Sequence, residues 1–220
     1  MATLRLGVLV SGSGTNLQAI LDAVAAKDLD AEVRVVVSNQ PSARALDRAM
    51  AAGVATRVIS HRDFPDRAAF DDKVVAALRE ADVTHVVLAG FMRLLTPVLL
   101  DAFPWRVINI HPALLPSFPG VHAQRQALAY GVKVAGCTVH FVDSGTDSGP
   151  VIAQAAVPVR DGDTEETLTA RILAEEHRLL VAVLSEIAAG KVEVIEGGAG
   201  ERARVVAADL SHRLSKRGRV

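Results

Sequence analysis

The sequence predicts an α/β protein built on a doubly wound, mostly parallel sheet, with a β-hairpin region and a long C-terminal helix. Three observations lead there. Segments of strand and helix character alternate from Leu4 to Ile110, the order that lays crossover helices over parallel strands. The strand segments are apolar throughout rather than on one face, as strands covered on both sides require. Beyond residue 111 the pattern changes to a Pro/Gly-rich stretch, two neighbouring β-like runs and a long helical period.

Leu4 to Val10 is a short apolar run with β-branched residues, followed by a Gly/Ser turn. Leu17, Ile20, Leu21 and Val24 then recur at i, i+3, i+4 and i+7, one face of a helix. Val33 to Ser38 reads as a second strand, and Pro41 suits the first turn of a helix reaching about Ala52. Val54 to Ile59 is a third strand, and Phe70, Val74, Ala77 and Leu78 mark the buried face of the next helix. Thr84 to Ala89 and Arg106 to Ile110 are strands flanking a short helix near Pro97 to Asp101. A helix near His122 to Tyr130 precedes the runs Lys133 to Val142 and Val151 to Pro158, which suit a hairpin. The last helix starts near Asp163, paired with Glu166 as a cap, and runs through Leu168, Ile172, Leu179, Leu180, Val183, Leu184 and Ile187 to a stop at Gly190. Lys191 to Ile195 reads as an edge strand before a Gly-rich break at residues 197–200. The expected division is a domain over 1–190 and, over 191–220, the edge strand and a basic tail.

Composition narrows the function. Half of the 220 residues are apolar and 22% charged, which excludes disordered, collagen-like and coiled-coil chains. Twenty-four basic against 25 acidic residues give a net charge of −1, so no overall field draws the molecule to nucleic acid or to a membrane, and an anionic ligand must be captured locally. Only 4% of residues are aromatic, too few for a single-strand stacking platform. The single cysteine, Cys137, suits a reducing cytoplasm. No run approaches the ~18 apolar residues of a membrane span. Arg213, Lys216, Arg217 and Arg219 form a basic end that reads as a solvated terminus or as a nucleic-acid contact.

Three segments carry candidate chemistry. Ser11-Gly12-Ser13-Gly14-Thr15-Asn16 lies between a strand and a helix, where glycines let backbone N–H groups approach an anion at the helix N-terminus. Leu17 occupies the place of the third glycine of a dinucleotide fingerprint and the phosphate-loop lysine is missing, so a plain strand-to-helix turn also accounts for the segment. In Asn109-Ile110-His111-Pro112, strand alternation puts Asn109 and His111 on one side of the chain. Asparagine can donate to a developing oxyanion and histidine can exchange a proton near neutral pH, a pair suited to attack on an acyl-like carbon; a packed core histidine is the alternative. The loop from Asp143 to Pro150 is a polar turn unless one of its carboxylates reaches His111.

Other signals are weaker. Gly90-Phe91-Met92-Arg93-Leu94-Leu95 combines a tight turn with apolar side chains, as a flat ring pocket or ordinary core would. The spacing of His111, His122, His140 and the loop aspartates matches no metal signature. Cys137 and Trp105 read as packing. The Gly/Ser loop, the 90–95 turn and the Asn109/His111 pair all fall at carboxyl ends of expected parallel strands, where open α/β sheets bind ligands.

The runs Ser11 to Ile20, Leu88 to Arg93, Asn109 to Pro116 and Val139 to Pro150 resemble, in order and register, the phosphoribosylglycinamide formyltransferase family. The resemblance implies a Rossmann-like formyltransferase fold over residues 1–190. It implies transfer of the formyl group of 10-formyltetrahydrofolate to the amino group of 5-phosphoribosylglycinamide in de novo purine biosynthesis. On this likeness Asn109, His111 and Asp147 are catalytic, Asn109 and His111 stabilising the oxyanion and Asp147 raising the His111 pKa and supporting a proton relay. Gly14, Thr15, Asn16 and Glu176 would bind the ribonucleotide; Arg67, Met92, Arg93, Leu94, Leu95 and Asn109 would bind the folate. The implied partners are glycinamide ribonucleotide and a reduced folate, with no metal, nucleic acid or membrane, in a cytoplasmic monomer or homodimer. Leu173 departs from the Lys or Gln common near the phosphate, and Ala113 from the Ser common after His-Pro. A formyltetrahydrofolate hydrolase or methionyl-tRNA formyltransferase would carry a further N- or C-terminal domain, for which the flanking segments are expected to be too short. A non-catalytic nucleotide-binding module would leave Asn109, His111 and Asp147 unexplained.

Overall fold

The computed structural model describes residues 3–198 and 201–207. The chain forms two compact units, Met1–Asn109 and Ile110–Val220.

In the first unit the strands are β1 (Leu4–Val10), β2 (Ala31–Ser38), β3 (Ala55–Val58), β4 (His85–Leu88) and β5, which begins at Val107. They lie in the order β3-β2-β1-β4-β5, with every neighbouring pair parallel. The chain steps outward from β1 to β3, then returns to place β4 on the other side of β1. That reversal is the doubly wound pattern, and its crevice opens at the carboxyl ends of β1 and β4. Leu6, Val8, Val36, Val86 and Val87 are wholly buried, which explains why these strands read as continuous apolar runs. The helices are α1 (Thr15–Ala25), α2 (Arg44–Ala51), α3 (Arg67–Glu80) and α4 (Pro97–Ala102). A Cβ on Gly7 would strike Leu78 Cδ2, so the bare backbone here leaves room for that buried α3 side chain.

Helix α2 begins later than Pro41 suggests. Ser38 Oγ accepts from the Gln40 N–H at 3.1 Å and donates to the Gln40 carbonyl at 2.8 Å, closing a turn that carries Pro41 outside the helix. β3 is short and mostly exposed, as an edge strand is.

His85, at the amino end of β4, lies 3.1 Å from Thr84 Oγ1. Burial, reinforced by the Arg106 charge, pushes its pKa down from 6.5 to about 4. Between these values the unfolded chain binds more protons than the folded one, so stability rises with pH there. The contribution of the neutral ring is complete above pH 6.5 and is lost as pH falls toward 4, by about 3 kcal/mol at most. Thermal melts of wild type and His85→Gln across pH 4 to 7 check this: the variant is expected to show the flatter profile, and parallel profiles would contradict it.

In the second unit, α5 (Ala123–Tyr130) precedes β6 (Val134–Phe141) and β7 (Val151–Pro158). β6 and β7 pair antiparallel, Cys137 opposite Ala155, which is the expected hairpin. Helix α6 (Glu165–Ala188) packs on both strands through the buried stripe Leu168, Ile172, Leu179, Leu180, Val183 and Leu184. Its cap differs from the Asp163/Glu166 pair expected. Thr164 is the N-cap and exchanges hydrogen bonds with Thr167. Asp163 is instead engaged by the guanidinium of Arg171 at 2.7 and 2.8 Å, and those bonds hold its carboxyl well below the usual carboxylate range. Gly190, at φ +67°, ends the helix. β8 (Val192–Ile195) pairs antiparallel with β9 (Arg204–Ala207), which lies against β7. The basic residues Arg213, Lys216, Arg217 and Arg219 lie outside the described residues. Among the described residues no helix is long and apolar enough to cross a membrane.

Candidate active site

The Gly/Ser loop follows β1 and leads into α1. Gly14 is the N-cap at φ +72° and has no side chain to fold back on the first helical N–H groups. Helix α2 braces the loop. The Ala45 N–H donates to the Gly12 carbonyl at 3.1 Å, and Arg48 donates from Nε to the Ser13 carbonyl at 2.8 Å and from Nη1 to Gln18 Oε1 at 3.0 Å. A Cβ at Gly14 would stand 2.6 Å from Ala45 Cβ, so only glycine permits this close approach in a left-handed backbone. Asn16 is buried within the first turn of α1.

The 90–95 loop follows β4, with Gly90 at φ +76°. Phe91 is buried and stacks near Phe70, with ring centroids 6.4 Å apart. Met92 and Leu94 instead turn outward, 73% and 54% exposed. The Arg93 guanidinium lies 5.4 Å above the Phe70 ring, and its buried Nε has no hydrogen-bond partner among the described residues. Leu95 is half-buried, and Arg67 is exposed on the first turn of α3. Asp71, on the otherwise apolar face of α3, accepts from the Thr96 N–H at 2.6 Å and Thr96 Oγ1 at 2.8 Å. Burial raises its pKa against the opposing effect of these bonds and of the Arg93 and Arg67 charges. The loop thus presents apolar side chains above an aromatic floor, with an arginine whose hydrogen-bonding capacity is incompletely used. A flat ring bearing a carboxylate suits such a surface.

Asn109 and His111 both lie on β5 (Val107–His111), with Asn109 half-buried in register with Leu88. In the second unit the His111 ring is buried, 4% exposed. Its Nε2 is 2.9 Å from the Phe118 carbonyl, and a carbonyl only accepts, so Nε2 carries a proton. Its Nδ1 stands 3.4 Å from Asp147 Oδ2. Both ring nitrogens face oxygens, an arrangement that a doubly protonated ring satisfies.

Asp147 sits at φ +51° in the loop between β6 and β7, and its Oδ2 accepts the Gly120 N–H at 2.7 Å. Asp143 organises this loop by accepting from Ser148 Oγ at 2.7 Å and the Gly145 N–H at 3.1 Å. Gly149 is required because a Cβ there would strike the Phe141 carbonyl.

Two strands hold the His-Pro segment. Thr138 Oγ1 donates to the Ala113 carbonyl at 2.6 Å and accepts the Leu115 N–H at 3.0 Å. Gln154 Nε2 donates to the Leu115 carbonyl at 2.9 Å and to Thr138 Oγ1 at 3.0 Å. His140, also buried, has Nδ1 2.8 Å from the Phe141 carbonyl and Nε2 3.8 Å from Asp147 Oδ1. Burial lowers its pKa, with His111 adding to the effect and the Phe141 bond and both aspartates opposing it. It is therefore neutral near pH 7, with its proton on Nδ1 and its lone pair turned toward Asp147. Cys137 is packed in β6, its thiol pushed up to about 12 chiefly by burial, and so is unreactive.

The structure therefore pairs His111 with Asp147, and sets the Gly14–Asn16 and 90–95 segments at neighbouring strand ends of the first unit. Glu176 is buried on α6 in the second unit. Thr138, Gln154 and Asp71 carry no motif in the sequence. Their only signal there is a polar residue on an apolar face. Among the described residues no group of three His, Cys, Asp or Glu side chains is disposed to hold a metal ion.

Residues 4–184 match the family model described as Formyl transferase. A crystal structure of glycinamide ribonucleotide transformylase 1 from Symbiobacterium toebii superposes with a TM-score of 0.87 at 50% identity, covering 93% of this chain and 94% of that one. The phosphoribosylglycinamide formyltransferase of Mycobacterium tuberculosis is 49% identical over 194 residues, 88% of this chain and 89% of that protein. The trifunctional purine biosynthetic protein adenosine-3 of Drosophila pseudoobscura pseudoobscura is 48% identical over 84% of this chain, which spans only 14% of that longer protein. The family match begins with β1 and ends on α6, taking in every segment that carries a candidate residue; the chain belongs to the formyl transferase family.

Proposed function

We propose that this protein transfers the formyl group of 10-formyltetrahydrofolate to the amino group of 5-phosphoribosylglycinamide in purine biosynthesis, a reaction of soluble substrates suited to the cytoplasm. The observation that carries the reading is the buried His111–Asp147 pair, 3.4 Å apart, on a strand that bears Asn109 two residues earlier. Folate, as co-substrate, supplies the formyl carbon. Attack by the ribonucleotide amine moves negative charge onto the formyl oxygen, and Asn109 can donate an amide N–H to it. With Nε2–H committed to Phe118 and Asp147 on its other side, His111 supplies the positive charge of its ring.

Asp147 Oδ1 and His140 Nε2 both accept and lie 3.8 Å apart, a spacing that one water bridges with its two O–H bonds. A water so placed receives the amine's proton and passes it to the leaving nitrogen of the folate. Gly14, Thr15 and Asn16 would meet the ribonucleotide phosphate with backbone N–H groups, where the α1 dipole favours an anion. Glu176 would take the ribose hydroxyls. Met92, Leu94 and Leu95 would receive the folate ring, Asn109 its formyl group, and Arg93 and Arg67 its carboxylates.

The direct test mixes the purified protein with both substrates and follows release of the deformylated folate. Release is expected only when the ribonucleotide is present, one formyl transferred per folate consumed. Folate turnover without the ribonucleotide would identify a hydrolase instead.

A further inference from the structure

We propose that Ser11 is a positioning residue that latches the 90–95 loop, so that a side chain in the Gly/Ser segment sets affinity for the folate. The inference rests on the formyl-transfer reading above. Ser11 Oγ accepts the Met92 N–H at 2.9 Å and lies 2.7 Å from Asn39 Oδ1. Met92 N–H can only donate and the Asn39 amide oxygen can only accept, so the hydroxyl proton points to Asn39 and its lone pair to Met92. Asn39 is buried, with Nδ2 3.4 Å from His61 Nδ1, which keeps its oxygen turned toward Ser11. The hydroxyl thus ties together the residues just past the ends of β1, β2 and β4.

The loop has a second anchor at its far end, where Asp71 holds both donors of Thr96. Between the anchors stand Met92 and Leu94, the exposed apolar side chains. A ligand meets these groups in a fixed arrangement only while the backbone is held, and holding it in advance removes an ordering cost from binding. The Gly/Ser loop itself does not depend on the Ser11 hydroxyl, because Gly12 and Ser13 are braced by Ala45 and Arg48. Loss of the hydroxyl should therefore be felt on the folate side and not on the ribonucleotide side.

Ser11→Ala is expected to raise the KM for 10-formyltetrahydrofolate about tenfold, the scale of one net hydrogen bond, with kcat and the ribonucleotide KM within about twofold of wild type. Ser11→Thr, which keeps the hydroxyl, should restore most of the folate KM. Amide hydrogen exchange at Met92, which requires no activity, should speed up in Ser11→Ala and not in Ser11→Thr. A ribonucleotide KM that rises as much as the folate KM, or a threonine variant as impaired as alanine, would overturn the assignment. Unchanged Met92 exchange in Ser11→Ala would overturn the latch alone. A wild-type protein unable to transfer formyl would instead remove the functional reading, and with it the folate assignment.

Discussion

Asp147→Asn is expected to slow formyl transfer by about 10²-fold or more, the scale of a general acid–base contribution, with little change in melting temperature. The substitution is isosteric and the surrounding bonds can accept it. The new amide oxygen can keep the Gly120 N–H that Asp147 Oδ2 now accepts at 2.7 Å. The amide nitrogen can turn toward His140 Nε2, now 3.8 Å from Oδ1, where a neutral His140 offers a lone pair. What the variant cannot supply is the negative charge beside the buried His111 ring, or the carboxylate oxygen that holds the water relaying the proton. The loss should therefore appear in kcat more than in either KM. Single-turnover rates with both substrates saturating, read beside thermal melts, separate this from misfolding. A folded variant with a near-normal rate would remove Asp147 from the mechanism.

The same pair shows which parts of the site are written in the sequence and which are not. Period-2 alternation along β5 was enough to place Asn109 and His111 on one side. Apolar runs located β1, β2 and β4, because strands buried on both faces must be built from such residues. The contact between His111 and Asp147 joins positions 36 residues apart, and no local period encodes it; the acidic residues of the 143–150 loop allow such a contact, and only the resemblance to a family singles out Asp147. The Phe118 carbonyl that accepts the His111 Nε2–H is a backbone atom, and Phe118 as a side chain gives no hint of it. Thr138 and Gln154 act through carbonyls and N–H groups of the 113–115 segment, so their importance depends on the β6–β7 register. The cap of α6 differs from the Asp163/Glu166 pair that the local sequence predicts, for a related reason. Asp163 is an excellent N-cap residue by local chemistry, but the bidentate bond from Arg171, two turns along the helix, outcompetes that role and leaves capping to Thr164 and Thr167.

Asn109→Ala should cost about 3 kcal/mol of transition-state stabilisation, on the order of 10²-fold in kcat, if the amide donates to the formyl oxygen as its charge develops. The neighbouring side chains argue that the strand will survive the change. Ile108 and Ile110 are buried, and the pairing of β5 with β4 is made by the backbone opposite Val86, Val87 and Leu88. The side chain removed is half-buried, so the cavity left is open to solvent, and thermal melts of the variant read any stability cost apart from the catalytic effect. Asn109 is also the residue with two proposed roles, oxyanion donor and folate contact, and kinetics distinguish them. A donor that acts only as charge develops lowers kcat and kcat/KM together. A donor that grips the ground-state formyl oxygen equally well raises the folate KM and leaves kcat unchanged. The steady-state constants of Asn109→Ala, measured with each substrate varied in turn, therefore decide the role: a loss confined to a raised folate KM, with kcat unchanged, would make Asn109 a binding residue and leave His111 as the chief stabiliser of the oxyanion.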